Sequence, residues 1–348
     1  MTRSAADLPR SGAAALGGTG EGGADSISHT PERVRRVDVM DNHRSEVRDF
    51  LVTRRGRVTP AQAGLPAGLG TRRVAGLRRS EVAQLAGVSV EYYTQLERGS
   101  IRGASDSVLD AVARALQLDE AERTHLFDLA RAASSGTAAR RRPPVRWVRA
   151  SIQQILDAQL SPAWVCNGRG DIVATNLLGR ALNSPLFDEA VLPVNLARFR
   201  FLNPDAVDFF RDWEATGRDS VAALRVEAGR NPYDKALTDL IGELSTRSEE
   251  FRTLWATHDV RLHRTGTKRL RHPVVGDLDL AYEGLDLPSD PGLALFIYTA
   301  DPGSRSHQAL DLLASWAASD AIQERDAGHG GQTRNAPHPT TSTPTSSS

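Results

Sequence analysis

Val90, Glu91, Thr94, Gln95 and Arg98 recur at the spacing of one helix face and carry donors, acceptors and an apolar group, the equipment that meets the major groove of duplex DNA. They stand in LRRSEVAQLAGVSVEYYTQLERG, from Leu77 to Gly99, which fits two short helices joined by a tight turn. The first helix is predicted from about Ser80 to Leu85, with Ser80 as N-cap and Val82, Leu85 and Ala86 as its apolar face. Gly87 makes the turn, because glycine accepts a left-handed backbone and lets helices cross closely, and Val88 fills the space between them. Ser89 caps the second helix, whose Tyr93 and Leu96 point inward. An ordinary helical hairpin shares these features. Local charge argues for DNA: from Arg44 to Arg102 there are eleven Arg, no Lys and five acidic residues, a net of +6 in a chain that is formally neutral.

A second polar cluster is His258, Asp259 and Arg261, at a predicted helix-to-strand junction. Arg261 can hold a carboxylate bidentately with His258 donating a further hydrogen bond; equally, Asp259 can pair with Arg261 while His258 caps the helix. Around it, Trp164, Phe209, Trp213, Trp255, Tyr282, Phe296 and Tyr298 can converge on an apolar ligand or simply fill a core. Asn176 and Asn195 read as turn-forming residues. Catalytic chemistry has no recognisable spacing: His263 and His272 lack a carboxylate motif, and Gly168, Gly170 and Gly179 do not follow the dinucleotide fingerprint. The one cysteine, Cys166, excludes an internal disulfide and a Cys-based zinc cluster, and beside Trp164 and Val165 it reads as a buried strand residue. The expectation is no enzyme, no cofactor and no metal.

The elements that position these residues divide the chain. Residues 1–40 and 321–348 are low in periodicity, and disorder is expected there. Met40, the only internal methionine, precedes the first patterned helix and is an alternative start to Met1. Residues 41–133 form a bundle of five helices: Ser45–Arg55 with Val47, Phe50 and Leu51 apolar and Arg44, Arg48, Arg54 and Arg55 polar, the two helices above, Ser105–Leu116 and Asp119–Ala132. Residues 134–145 are a basic, proline-containing linker. In 146–320, which holds all five tryptophans, a helix from Trp147 to Leu160 precedes strands at Ala163–Asn167 and Asp171–Asn176, joined by Gly168-Arg169-Gly170. Helices follow near 205–215, 219–228, 234–245 and 249–258, then strands at 267–272, 277–287 and 293–299 and a closing helix at 306–316. Five antiparallel strands with helices on one side make an α+β domain of PAS-like type. No transmembrane run or secretory h-region is present, so a cytoplasmic protein is expected. Only Lys235 and Lys268 among 43 basic residues are lysine, which with abundant Ala and Gly suggests a GC-rich bacterial genome.

The N-terminal arrangement resembles the Xre/Cro-type helix-turn-helix family, in which the start of the recognition helix contacts base edges. The resemblance gives that role to Val90, Glu91 and Gln95: Val90 for a thymine methyl, Glu91 for cytosine, Gln95 for adenine. Arg78, Arg79, Ser89, Thr94, Arg98 and Arg102 fall to the phosphate backbone. In the C-terminal half, PAWVCNGRGDIVATNLLGRAL, WATHDVRLHRTGTKRLRHPVVGDLDLAYEGLDL and PGLALFIYTADPGSRSHQALDLLASW resemble the ligand-binding domain of MmyB-like transcription regulators. This resemblance implies a one-component regulator with a double-stranded DNA operator as partner and a small apolar or fatty-acid-like ligand; because one short recognition helix makes too few base contacts for a specific site, a homodimer reading two half-sites is expected. The alternatives are a constitutive DNA-binding protein whose C-terminal domain only dimerises, and an enzyme with an accessory DNA-binding domain.

Overall fold

Val47, Phe50 and Leu51 sit at three- and four-residue spacing and are fully buried, sealing one face of a long helix. This is α1 (Pro31–Arg57) of a computed structural model that describes residues 31–66, 74–134, 147–187, 193–261 and 264–330. With α2 (Arg79–Ala86), α3 (Val90–Glu97), α4 (Asp106–Ala115) and α5 (Glu120–Ser134) it forms the expected five-helix bundle. α1 begins at Pro31, inside the segment expected to be disordered. Residues 1–30, most of the linker and residues 331–348 lie outside the described residues.

Local chemistry sets the helix-turn-helix. Ser80 does not cap α2. The cap position is Arg78, whose backbone N–H donates to the Glu81 carboxylate at 2.6 Å, so Ser80 falls in the first turn. Val82, Ala83 and Ala86 are the buried face, and Leu85 points to solvent. Gly87 has φ of 66°, but a Cβ there would touch nothing, so backbone conformation and not close helix approach requires the glycine. Ser89 does cap α3, its Oγ accepting the Tyr92 N–H at 3.0 Å. Tyr93 and Leu96 are buried as expected. Glu97, at the end of α3 and 1% exposed, accepts two hydrogen bonds from Arg55 (2.8 and 3.1 Å) and two from Arg79 (3.2 and 3.3 Å). This carboxylate fixes α3 against α1 and α2.

The C-terminal domain runs α6 (Ala150–Ala158), β1 (Ala163–Asn167), β2 (Asp171–Thr175), α7 (Leu177–Leu182), α8 (Ser184–Phe187), β3 (Val194–Asn195), α9 (Leu196–Leu202), α10 (Ala206–Phe209), α11 (Trp213–Arg230), α12 (Lys235–Arg247), α13 (Glu249–Trp255), β4 (Thr265–His272), β5 (Gly276–Asp286), β6 (Leu293–Thr299) and α14 (Arg305–Gly330). The antiparallel sheet has order β3-β2-β1-β6-β5-β4, six strands where five were expected, because the two-residue β3 adds an edge. Strand alternation divides the core. Trp164, Cys166, Phe296 and Tyr298 face one side, while Val165, Leu293 and Leu295 face the other with Ile152 and Leu156 of α6. Trp147 and Leu160, expected on α6, lie outside it and are strongly exposed. The helices predicted at 205–215 and 219–228 are instead the short α10 and the 18-residue α11. α14 continues through 321–330, where disorder was expected. Among the described residues no helix is long and apolar enough to cross a membrane.

The two domains share a core. Val226 of α11 and Val260 pack within the cluster of the five-helix bundle, and a Cβ at Gly229 would lie 2.5 Å from His125 Cε1, so α11 crosses α5 at a glycine. Arg225, fully buried, donates to the Glu46 carboxylate of α1 and to the Trp255 carbonyl, and meets His258 Nδ1 at 3.0 Å. Arg54, expected on a polar face, is instead 2% exposed; it pairs with Glu122 at 2.8 Å and donates to the His258 carbonyl at 2.7 Å. Burial alone would raise the Glu46 carboxyl, but the neighbouring His258 imidazole and the hydrogen-bonded charge of Arg225 hold it at about 2. Burial pushes His125 down to about 4 against the opposing pull of Glu46.

Two outcomes follow from these buried charges. Glu97→Gln leaves Arg55 and Arg79 without their carboxylate and is expected to lower unfolding stability in urea by about 3 kcal/mol; a loss below about 1 kcal/mol would show that α3 is held by packing alone. His125 is neutral in the fold, so the unfolded chain binds a proton that the fold refuses between pH 6.5 and about 4, and stability falls as pH drops through that window. Glu46 continues the fall from about pH 4.5 towards 2, where its folded carboxylate takes up a proton. His125→Leu should remove on the order of 3 kcal/mol of the loss above pH 4, read from urea midpoints between pH 7 and 4; an unchanged pH profile would refute the assignment.

Candidate functional site

α3 presents its outer face as the sequence predicts. Val90, Glu91, Gln95 and Arg98 are exposed, and Arg102 is exposed in the turn that follows. Thr94 is half-buried and donates its hydroxyl to the Val90 carbonyl at 2.7 Å, leaving oxygen lone pairs as its outward capacity. The arginines separate into two groups. Arg78, Arg98 and Arg102 are exposed, whereas Arg79 is tied to Glu97 and Arg57 donates to Asp259 at 2.5 Å. Together with Arg54 and Arg55, these last two use part of the local positive charge to hold the fold, so the net of +6 overstates what faces a phosphate backbone.

A cavity of about 610 Å³ lies in the C-terminal domain between the sheet and α11. Four of the nominated aromatics line it: Trp164 stacks on Tyr298 at 4.4 Å, Tyr298 on Tyr282 at 5.5 Å, and Phe296 lies tilted beside Tyr282 at 6.3 Å. Arg261 also lines it. The other nominated residues do not. Phe209 is buried against Phe199 and Phe210, and Trp213 lies under the Arg200 guanidinium, 3.2 Å from its centroid. Trp255 stacks between Phe251 and Arg225. His258 belongs to the interdomain network, separated in function from Arg261, and its neighbour Asp259 pairs with Arg57. Their aromatic and charged types signalled packing as strongly as ligand contact.

The sequence reading missed the helical wall. Thr216, Asp219, Ser220, Ala223, Glu227 and Arg230 form one stripe of α11 facing the cavity, at a three- and four-residue spacing that two separate predicted helices obscured. Arg169, Arg264 and Lys268 add cations, each paired inside the domain: Arg169 with Asp171 and Asp234 at 3.0 Å, Arg264 with Asp286, and Lys268 with Asp219 at 3.0 Å. Burial raises the Glu227 carboxyl, against the lowering effect of the Asn231 hydrogen bond and the Arg230 charge. Cys166 faces the same space as an inert thiol, pushed up to about 12 by burial. Asn176 and Asn195 are structural caps, accepting the N–H groups of Gly179 (2.7 Å) and Arg198 (2.9 Å). His272 is likewise structural, its Nε2 at 2.9 Å from the Ala181 carbonyl. Among the described residues no His, Cys, Asp and Glu group has the geometry of a metal site. His263 lies outside the described residues.

Residues 148–313 match the MmyB-like transcription regulator ligand binding domain, and residues 53–126 match a helix-turn-helix domain. No curated protein matches the chain. The two matched segments, which hold the exposed face of α3 and the aromatic cavity, support a DNA-binding transcription regulator with an MmyB-like ligand-binding domain.

Proposed function

We propose that this regulator is a one-component sensor: the cavity holds a small amphipathic, fatty-acid-like molecule, and its occupancy sets the affinity of α3 for an operator. The observation that carries this reading is the 610 Å³ cavity, within the range of roughly 300–1,000 Å³ that ligand sites occupy, with aromatic walls for an apolar chain and a cationic rim that includes Arg261. Val90, Glu91 and Gln95 read bases; Arg78, Ser89, Thr94, Arg98 and Arg102 meet phosphates, with Arg79 positioned by Glu97 at the edge of that set. One short recognition helix makes few base contacts, so the functional unit is a homodimer on two half-sites about one helical turn apart. Binding in place of turnover is supported by the chemistry of the cavity wall, where the described residues present no nucleophile paired with a base. The setting is the cytoplasm, where the operator is.

The operator is obtained by selecting duplexes from a random-sequence library with the full-length protein. Gln95→Ala should then cost roughly 1–3 kcal/mol per half-site on the selected duplex and little on random DNA; equal losses on both would remove Gln95 from base reading. Arg98→Ala should weaken both duplexes and flatten the salt slope by about 1 per protomer, and an unchanged slope would remove it from the phosphate set. For the sensor, dodecanoate titrated against tryptophan fluorescence should bind the unaltered protein and shift its affinity for the selected duplex. Ala223→Trp, which puts an indole into the cavity from α11, should abolish both effects. Dodecanoate that binds without shifting operator affinity would favour a constitutive DNA-binding protein.

A further inference from the structure

α11 has two working faces. Its cavity stripe ends at Arg230, and its opposite side carries Arg225 and Gly229 into the DNA-binding domain. Val226 touches both, lining the cavity and packing in the core of the five-helix bundle. The cavity cations differ in what they pair with. Arg169, Arg200, Arg264 and Lys268 have carboxylate partners within the ligand-binding domain, and Arg261 acts electrostatically on Asp259 of the same domain. Arg230 instead donates its Nε–H at 2.9 Å to Asp128 on α5 of the DNA-binding domain. Asp128 is 5% exposed and also accepts from Arg131 at 2.6 Å. If Arg230 leaves, the buried carboxylate keeps a cationic partner, so the exchange avoids the penalty of an orphaned charge.

We propose that Arg230 is the residue through which the cavity's contents act on the DNA-binding domain: an anionic group of the ligand takes the guanidinium from Asp128, and α5 loses its charge-assisted tether to α11. This rests on reading the cavity as the ligand site and assigns the ligand's head group to the α11 end of it. The network of Arg225, Glu46 and His258 stays closed during the exchange, so the domains remain joined while one contact between them switches.

The test compares the full-length protein with Asp128→Asn, Arg230→Gln and their double variant, using the selected duplex and dodecanoate. Breaking the tether from either end should change the dissociation constant for DNA by the same factor, at least threefold, with no further change in the double variant. Arg230→Gln should weaken dodecanoate at least tenfold, Asp128→Asn should tighten it at least threefold by removing the competing charge, and neither variant's DNA affinity should respond to dodecanoate. Wild-type DNA affinity in both folded single variants, checked by far-UV circular dichroism, would overturn the proposal. So would dodecanoate binding that survives Arg230→Gln but is lost in Arg261→Gln, because the head group would then sit elsewhere. Failure of dodecanoate to bind the unaltered protein would count against the ligand class alone, and the DNA comparison would still decide the relay.

Discussion

A fully buried guanidinium at Arg225 is the constraint on which the rest of the arrangement depends. Arginine does not give up its proton in proteins, so this charge must be met wherever it is placed. Its partners come from both domains: Glu46 from α1, and the Trp255 carbonyl and His258 from the ligand-binding side. Separating the domains would strand charges on each side, at a cost of about 3–5 kcal/mol for a buried pair. Couplings between sites are typically 1–3 kcal/mol, too small to pull such a pair apart. The domains therefore act as one packed body around Arg225, and any signal between them must pass through contacts that are cheaper to exchange.

Those contacts are the more exposed ion pairs between the domains. Arg57 with Asp259 and Arg230 with Asp128 are both ion pairs between the domains, and in each the arginine is more than a third exposed. Only the second reaches the cavity. A helix of 18 residues, about 27 Å long, thus divides its faces between a cavity and a protein interface. Gly229 is the residue that permits this, since any side chain there would collide with His125 and lift α11 off α5.

Sequence periodicity was a good guide wherever one face of an element is buried and the other is wet. Val47, Phe50 and Leu51, the inward pair Tyr93 and Leu96, and the alternating strands β4 to β6 all declare their orientation in this way. It failed where both faces are buried. α11 touches the cavity on one side and a second domain on the other, so its polar residues line a cavity instead of marking a solvent face, and the segment reads as two shorter helices. The same blindness affected the site. Trp213 and Trp255 look like ligand walls in sequence, but each lies beneath a buried arginine, Arg200 and Arg225, whose partners come from distant parts of the chain. Burial of a charge is a property of tertiary pairing, and local spacing holds no record of it.

This also changes the meaning of the arginine-rich N-terminal half. An excess of positive charge is the usual mark of a DNA-binding surface, yet Arg54, Arg55, Arg57 and Arg79 are held by Glu122, Glu97 and Asp259. Arginine suits both duties because its planar fork binds a carboxylate as readily as a phosphate. What distinguishes them is whether a carboxylate is already in place. By that criterion Arg78, Arg98 and Arg102 stand apart, exposed along the border of the outer face of α3, while Glu97 at the end of the same helix collects Arg55 and Arg79 inward. α3 is thus held in the fold by the same charge-assisted fork that arginine can offer to a phosphate, with protein carboxylates as the acceptors.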